Sequence, residues 1–300
     1  MGSEAHVVVV GGPDGAAGHA RRRLDELEAC WSRFRPDSEV SQLNAAAGST
    51  VEVSPATWLL LYRAIEGIDL TGGRFDPTVL HDVEALGYDR SFDQLDRHGT
   101  RLPPSSQERR PRVLCGSAAI SLLDDRRSAS LAEGCGFDPG GIGKGLAADL
   151  VVAELLGEGA EGVSVNVGGD VRADGRSPTP DGWVVAVEDP WTRSHELTRC
   201  ALRRGAVATS SRCERTWRRG GVEHHHLVDP ASGRSIDSGL AAVTVVAGEG
   251  WLAEVMTKAA FVAGREHAAD LVRSAGVAAL LVADDGTVES VSMPEPGVFE

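Results

Sequence analysis

Four short segments of this 300-residue chain carry side chains whose type and spacing could do chemistry. The first is Asp138-Pro139-Gly140-Gly141-Ile142-Gly143-Lys144-Gly145, which runs into Leu146-Ala147-Ala148-Asp149. Four glycines in six residues, placed where a helix begins, let backbone N–H groups come close to a ligand. The helix N-terminus adds positive potential and Lys144 a full charge, so the segment is suited to cradle phosphate. It is neither a G-x-x-x-x-G-K-[S/T] loop nor a G-x-G-x-x-G turn directly after a strand. The bland alternative is a glycine-rich turn with a surface lysine. The second segment, Val163 to Asp170, reads as a strand leaving through Gly168-Gly169-Asp170. Its carboxylate is a ligand contact or simply a solvated turn residue.

The third segment is His224-His225-His226-Leu227-Val228-Asp229-Pro230-Ala231-Ser232-Gly233. Adjacent residues of an extended chain point to opposite faces, so three consecutive histidines do not readily close on one metal ion. One histidine facing a pocket as a general base is the better reading, with exposed loop histidines as the alternative for His224 and His225. The fourth segment is Glu254-Val255-Met256-Thr257-Lys258. Glu254 and Lys258 share a helix face, which makes them an ordinary i,i+4 ion pair. Otherwise Glu254 and the Thr257 hydroxyl offer oxygens to a hard cation, against which the Lys258 ammonium argues.

These side chains need elements to hold them. His6 to Val10 reads as a strand, ending in the turn cluster Gly11 to Gly15. Apolar residues at three- and four-residue spacing predict helices from Ala17 to Phe34 and from Pro55 to Ile68, the latter with Ser54 as N-cap. Ser91 to Arg112 is polar with three prolines and reads as a surface excursion. Further helices are predicted at Lys144 to Leu156, Trp251 to Ala263 and His267 to Ser274. Strands are predicted at Ala118 to Leu123, Val163 to Val167, Trp183 to Val187, Leu240 to Ala247 and Ala278 to Ala283. Arg172 to Asp181 reads as a connector, and Gly205 to Ser210 as the approach to a loop. Strands and helices mix without regular βαβ alternation, which favours an α+β fold over a doubly wound sheet. No repeat or clear linker divides residues 1–300, so a single unit is expected, with two α/β subdomains as the alternative.

Composition bounds the partners. Hydrophobic residues make up 42% and charged residues 25%, as in soluble globular proteins. The net charge of −14 excludes a broad electrostatic grip on nucleic acid or an anionic membrane. An anion must therefore be held locally. Of the 30 basic residues only Lys144 and Lys258 are lysine, and both fall in candidate sites. No apolar run reaches the ~18–20 residues that span a bilayer. The five scattered cysteines form no C-x-x-C pair and fit unpaired thiols in a reducing compartment. With no export signal at Met1-Gly2-Ser3-Glu4, a cytoplasmic protein is expected.

Taken in order, these segments resemble the ApbE family, the FAD:protein FMN transferases. Met1-Gly2-Ser3 resembles the family's opening M-G-T. Ser32 to Asn44 resembles S-x-[F/Y]-x-x-x-S-E-[I/V]-S-x-[L/F]-N, and Gly73-Arg74-Phe75-Asp76-Pro77-Thr78-Val79 resembles G-x-F-D-P-T-V. Asp138 to Asp149 is similar to D-x-G-G-I-[A/G]-K-G-x-A-x-D, Ala208-Thr209-Ser210 to A-T-S, and His226 to Gly233 to H-[I/L]-[I/V]-D-P-x-[T/S]-G.

The resemblance implies an α+β flavin transferase fold with mixed sheets and helices around a central FAD cleft. It implies cleavage of FAD at its pyrophosphate and attachment of FMN by a phosphoester to a Thr or Ser of an acceptor protein, releasing AMP. The acceptor is expected to carry a D-x-x-[S/T]-G-[A/S]-T-like motif. FAD would be contacted by Met1, Phe34, Arg74, Phe75, Asp76, Asp138, Lys144 and Val228. His226 matches the catalytic histidine, with Lys144 and Thr209 in the catalytic set. Magnesium would be held by Gly141, Glu254 and Thr257. This chain departs from the pattern there: Asp is usual at the Glu254 position, a small residue at Thr257 and Thr at Lys258. Either Lys258 distorts a magnesium site, or it is a fixed cation in place of the ion. Two rival readings of the same residues are an FAD-binding protein without transferase activity and an FAD pyrophosphatase giving FMN and AMP.

Overall fold

The run Leu240–Ala247 is apolar at almost every position, the pattern of a strand covered on both faces. The computed structural model describes residues 3–95, 115–123, 127–192, 194–293 and 298–299, and it places this run inside a seven-stranded sheet. The strands of that sheet are β1 (Ala5–Val10), β2 (Gly162–Val167), β3 (Asp170–Gly175), β4 (Gly205–Ser211), β5 (Leu240–Ala247), β6 (Ala278–Ala283) and β7 (Val288–Val291). Their spatial order follows the chain from β1 to β7, and every neighbouring pair is antiparallel.

Seven helices lie among the described residues: α1 (Ala16–Trp31), α2 (Glu39–Ala45), α3 (Pro55–Leu70), α4 (Leu80–Ala85), α5 (Gly143–Gly157), α6 (Gly250–Ala263) and α7 (Ala268–Ser274). Alternation along β5 sends Val243 and Val245 toward Met256, Phe261 and Val272 of the helical layer. The next residue, Val246, packs on the other face, against Trp183, Val187, Cys200 and Leu202. Those residues come from a smaller sheet in which Trp183–Glu188 pairs antiparallel with Glu196–Leu202. A second core joins α1, α2 and α3 through Trp31, Leu43 and Leu61 to Phe75, Phe137 and Ile142.

Helix α6 contributes to both cores and α5 to the second, through Leu146 and Ala147, and the α+β architecture depends on how closely the two helices cross. A methyl group at Gly145 would stand 2.2 Å from the Gly250 carbonyl oxygen, so only glycine allows this approach. Asp149 of α5 fastens the crossing by accepting the Gly250 and Trp251 amides at 2.7 and 2.9 Å, which caps α6.

Several expectations need correction. Gly205–Ser211 is an interior strand, β4, and not the approach to a loop. Its small side chains give little β signal, but β3 and β5 flank it and satisfy its backbone. The supposed connector begins four residues late, because Arg172–Gly175 belongs to β3. Arg172 is buried there and pairs with Asp149 and Asp174 at 3.1 and 3.0 Å, so mutual satisfaction hides the charges from any hydrophobic pattern. Helix α1 stops at Trp31 because Ser32 turns extended, which frees Arg33 and Phe34. The strand expected at Ala118 to Leu123 shrinks to Ile120–Leu122. Most of the polar excursion, from residue 96 to 112, lies outside the described residues. Five unpaired thiols were expected, yet Cys115 and Cys135 form a disulfide and leave Cys30, Cys200 and Cys213 free. Folding brings their Cα atoms within 6.0 Å, which no spacing rule announces.

Candidate active site

The glycine cradle forms where Asp138 caps the short turn Pro139–Gly141 by accepting the Gly140 amide at 2.9 Å. The chain then enters α5, whose first amides have no carbonyl partner within the helix. The far oxygen of Asp138 meets Arg33 Nε at 3.2 Å. Arg33 lies over the rings of Phe34 and Tyr88, 4.2 and 4.7 Å from their centroids, and donates to the Tyr88 carbonyl at 2.9 Å. Phe34 is 39% exposed at the cavity, whereas Phe75 is 3% exposed and packs beneath it. Gly141 passes so close to Phe75 that a methyl there would fall 3.1 Å from the ring.

The cavity beside this turn measures about 290 Å³. Its walls include Phe34, Arg74, Phe75, Asp76, Asp138, Gly141, Lys144, His226 and Val228, together with Arg33, Tyr88, Arg215 and Lys258. Asp76 is locked in its own turn by the amide and hydroxyl of Thr78. Met1 lies outside the described residues. Thr209 is not brought to the cavity wall: its hydroxyl pairs with Thr244 at 2.9 Å and its amide donates to Asp170 at 3.1 Å.

A four-charge cluster closes the inner end. Lys144 pairs with Asp170, which is 2% exposed, and stands 3.6 Å from Glu254 Oε1. Lys258 Nζ is 3.4 Å from the same oxygen. Glu254 is wholly buried, and its other oxygen accepts the Gly145 amide at 2.8 Å. Burial works against the Lys144 ammonium, but Asp170 and Glu254 outweigh it and hold its pKa above the ordinary lysine value. At Lys258 burial wins and pushes the pKa down, with Glu254 opposing and Lys144 adding repulsion.

His226 is set apart from its two neighbours. His224 and His225 are in the strand Val222–His225, and the His225 ring is tied to the Ile236 carbonyl at 2.9 Å. The His226 ring borders the cavity, and its Nδ1 has no hydrogen-bond partner among the described residues. Burial, then the charges of Arg215 and Lys258, hold its pKa well below the usual histidine value. It is therefore neutral at pH 7, the form a general base needs. Arg215 has a left-handed backbone, φ 44°, and its guanidinium reaches the Tyr88 and Ser3 hydroxyls at 3.5 and 3.3 Å. Sequence reading missed Arg215, Arg33, Tyr88 and the pairing of Asp170 with Lys144. The left-handed arginine carries no local signal, although Asp170 had been marked as a turn carboxylate.

The expected magnesium ligands do not fit a divalent ion. Both Glu254 oxygens are engaged, one by an amide and one by two ammonium groups. The Thr257 hydroxyl donates to the Glu254 carbonyl at 2.7 Å and meets Ser210 Oγ at 2.7 Å. The Lys258 stem occupies the space beside Gly141, 3.6 Å from where a methyl would sit. Among the described residues no group of three or more His, Cys, Asp or Glu is arranged to hold a metal.

Comparison with known proteins agrees with this architecture. The sequence profile of the ApbE family matches residues 1–281. The chain is 30% identical over 285 residues to the FAD:protein FMN transferase of Treponema pallidum, covering 89% of this chain and 76% of that protein. The crystal structure of the ApbE protein of Thermotoga maritima superposes with a TM-score of 0.83 at 28% identity, covering 97% of this chain and 94% of the other. The apo Pseudomonas stutzeri flavinyl transferase ApbE gives 0.80 at 27% identity, covering 97% and 95%. The motifs, the fold and these matches together show that the chain belongs to the ApbE family.

Proposed function

We propose that this chain is an FAD:protein FMN transferase, which joins FMN through its phosphate to a Thr or Ser hydroxyl of an acceptor protein and releases AMP. The observation that carries the reading is the meeting of Lys144, Arg215 and a neutral His226 at one cavity beside a helix N-terminus. The exposed Phe34 ring, with Arg33 and Tyr88 behind it, offers a flat surface for an aromatic ring system. Lys144, Arg215 and the first amides of α5 suit the dinucleotide's two phosphates.

In the step itself, the acceptor O–H proton passes to His226 while the oxygen attacks the FMN phosphorus. The new P–O bond forms as the P–O bond to AMP breaks, and AMP leaves with that electron pair. Charge on the phosphoryl oxygens is met by Lys144 and Arg215, which already stand in place. Thr209 acts through Asp170, whose carboxylate its amide holds, and no step is routed through Thr257 or magnesium.

The acceptor is proposed to present a D-x-x-[S/T]-G-[A/S]-T-like segment, and residues 1–300 to work as one unit. In support of the latter, one sheet takes strands from both ends of the described chain, β1 and β7. No helix among the described residues is long and apolar enough to cross a membrane. The Cys115–Cys135 bond weighs against the cytoplasmic placement expected from the sequence, because disulfides persist where the surroundings oxidise. Incubation with FAD, with and without an acceptor peptide, tests the activity. A peptide gaining the mass of FMN supports transfer. AMP without an adduct selects hydrolysis, and tight FAD binding with neither product selects a binding protein.

A further inference from the structure

We propose that the Lys258 ammonium supplies, at the point of phosphoryl transfer, the positive charge that a divalent cation would otherwise supply, so that this protein works without a metal. The proposal rests on the transferase reading and concerns how that reaction is run.

Position is the first argument. Lys258 lies on α6 one turn beyond Glu254, and an ordinary i,i+4 pair of this kind would stand in solvent. Here the Lys258 side chain is 17% exposed, Glu254 is wholly buried, and the ammonium opens onto the cavity that also holds Lys144 and His226. Its stem passes Gly141 and its head stops 3.4 Å from Glu254 Oε1. It therefore fills the space between Gly141 and Glu254, two of the three residues expected to ligate magnesium.

Charge is the second. Lys144 and Lys258 balance Asp170 and Glu254, so the cluster is neutral as a whole and offers a dication no net attraction. Without Lys258 the remaining three charges sum to −1, the sign that draws in Mg²⁺. One side chain thus decides whether the site recruits a metal. The third argument is reach. An ammonium on a flexible four-carbon stem can follow a phosphoryl oxygen as its charge grows. The chemistry balances unchanged: the acceptor oxygen bonds to phosphorus, AMP departs with the electron pair, and His226 receives the proton. No co-reactant is needed.

The test uses the full chain, stripped of metal with a chelator. Mg²⁺ alone is titrated into it by calorimetry, with and without FAD, and transfer to an acceptor peptide is followed in EDTA and in millimolar Mg²⁺. The wild type should bind no Mg²⁺ in its cavity and should transfer FMN in EDTA within about twofold of its rate in Mg²⁺. Lys258→Thr should lose about 100-fold in EDTA, gain a Mg²⁺ binding heat, and recover at least about tenfold when Mg²⁺ is added. Stoichiometric Mg²⁺ binding by the wild type, transfer that fails in EDTA and returns with Mg²⁺, or an undiminished metal-free rate in Lys258→Thr would each overturn the proposal. Should the variant not fold, the wild-type titration decides alone. If the wild type transfers nothing under either condition, the transferase reading falls, while calorimetry still judges the claim about metal.

Discussion

Replacing Gly145 by alanine tests the helix crossing on which the active site depends. The added methyl would sit 2.2 Å from the Gly250 carbonyl oxygen and 2.8 Å from the Trp251 amide nitrogen, both of them backbone atoms. The oxygen is about 1 Å inside ordinary contact, so α5 and α6 must part or twist. Overpacking of this kind costs about 1–3 kcal/mol. The Gly145 amide would also be pulled from the buried Glu254 carboxylate that it meets at 2.8 Å, a charged hydrogen bond worth about 1.5–3 kcal/mol. Alanine's better helix propensity returns up to about 1 kcal/mol. The expected net loss is about 2–5 kcal/mol, or about 3–8 °C in melting temperature for a chain of this size. Transfer activity should fall further than stability explains, because Lys144 and Glu254 are carried apart. Gly18→Ala is the control: it lies in α1 with open space around it, nearest Arg22 Nη1 at 3.8 Å, and should stabilise by up to about 1 kcal/mol. Thermal unfolding by circular dichroism reads both. If Gly145→Ala melts within a degree of the wild type, the helices have slack and the crossing does not position the site.

His226→Ala should lower FMN transfer by about 10²–10⁴-fold while FAD affinity, read by flavin fluorescence, changes little. Because the His226 pKa lies well below 6.5 in the fold, the imidazole stays neutral as pH falls through 6.5. The rate should therefore hold through that value and drop only at lower pH; a pH profile with its acidic limb at or above 6.5 contradicts the assignment. Arg215→Met should weaken FAD binding and move that limb upward, since Arg215 is the largest charge effect on His226. In denaturant without reductant, a thiol reagent should count three free cysteines; reducing the bond across the 20-residue separation should cost about 3 kcal/mol in a urea melt.

Local signals made much of the architecture readable. Helices α3, α5 and α6 have apolar periodicity, capping residues or glycine boundaries that act within a few residues, so their bounds follow closely. Helices α2 and α4 span seven and six residues, too short for a period to show, and were not anticipated. Strand β4 was misread because Ala206, Ala208 and Ser210 owe their burial to flanking strands rather than to their own hydrophobicity. The candidate site was legible as a set of residues, since each motif is contiguous. Its internal wiring was not. Lys144 and Glu254 are 110 positions apart, yet their separation in space is 3.6 Å.

By itself, the sequence determined the α+β class, the phosphate cradle ahead of α5, the single histidine suited to a base, and the two lysines reserved for the site. These follow from residue type and short-range spacing. Only the tertiary structure decided that Asp170 neutralises Lys144, that Arg215 enters the cavity, that Thr209 does not, that Cys115 reaches Cys135, and that Lys258 fills the expected metal position. Each of those outcomes depends on the distance between residues far apart in the chain. For Lys144, Glu254 and Lys258 that distance follows from how closely α5 and α6 pack across Gly145 and Gly250, not from any local preference of the residues involved.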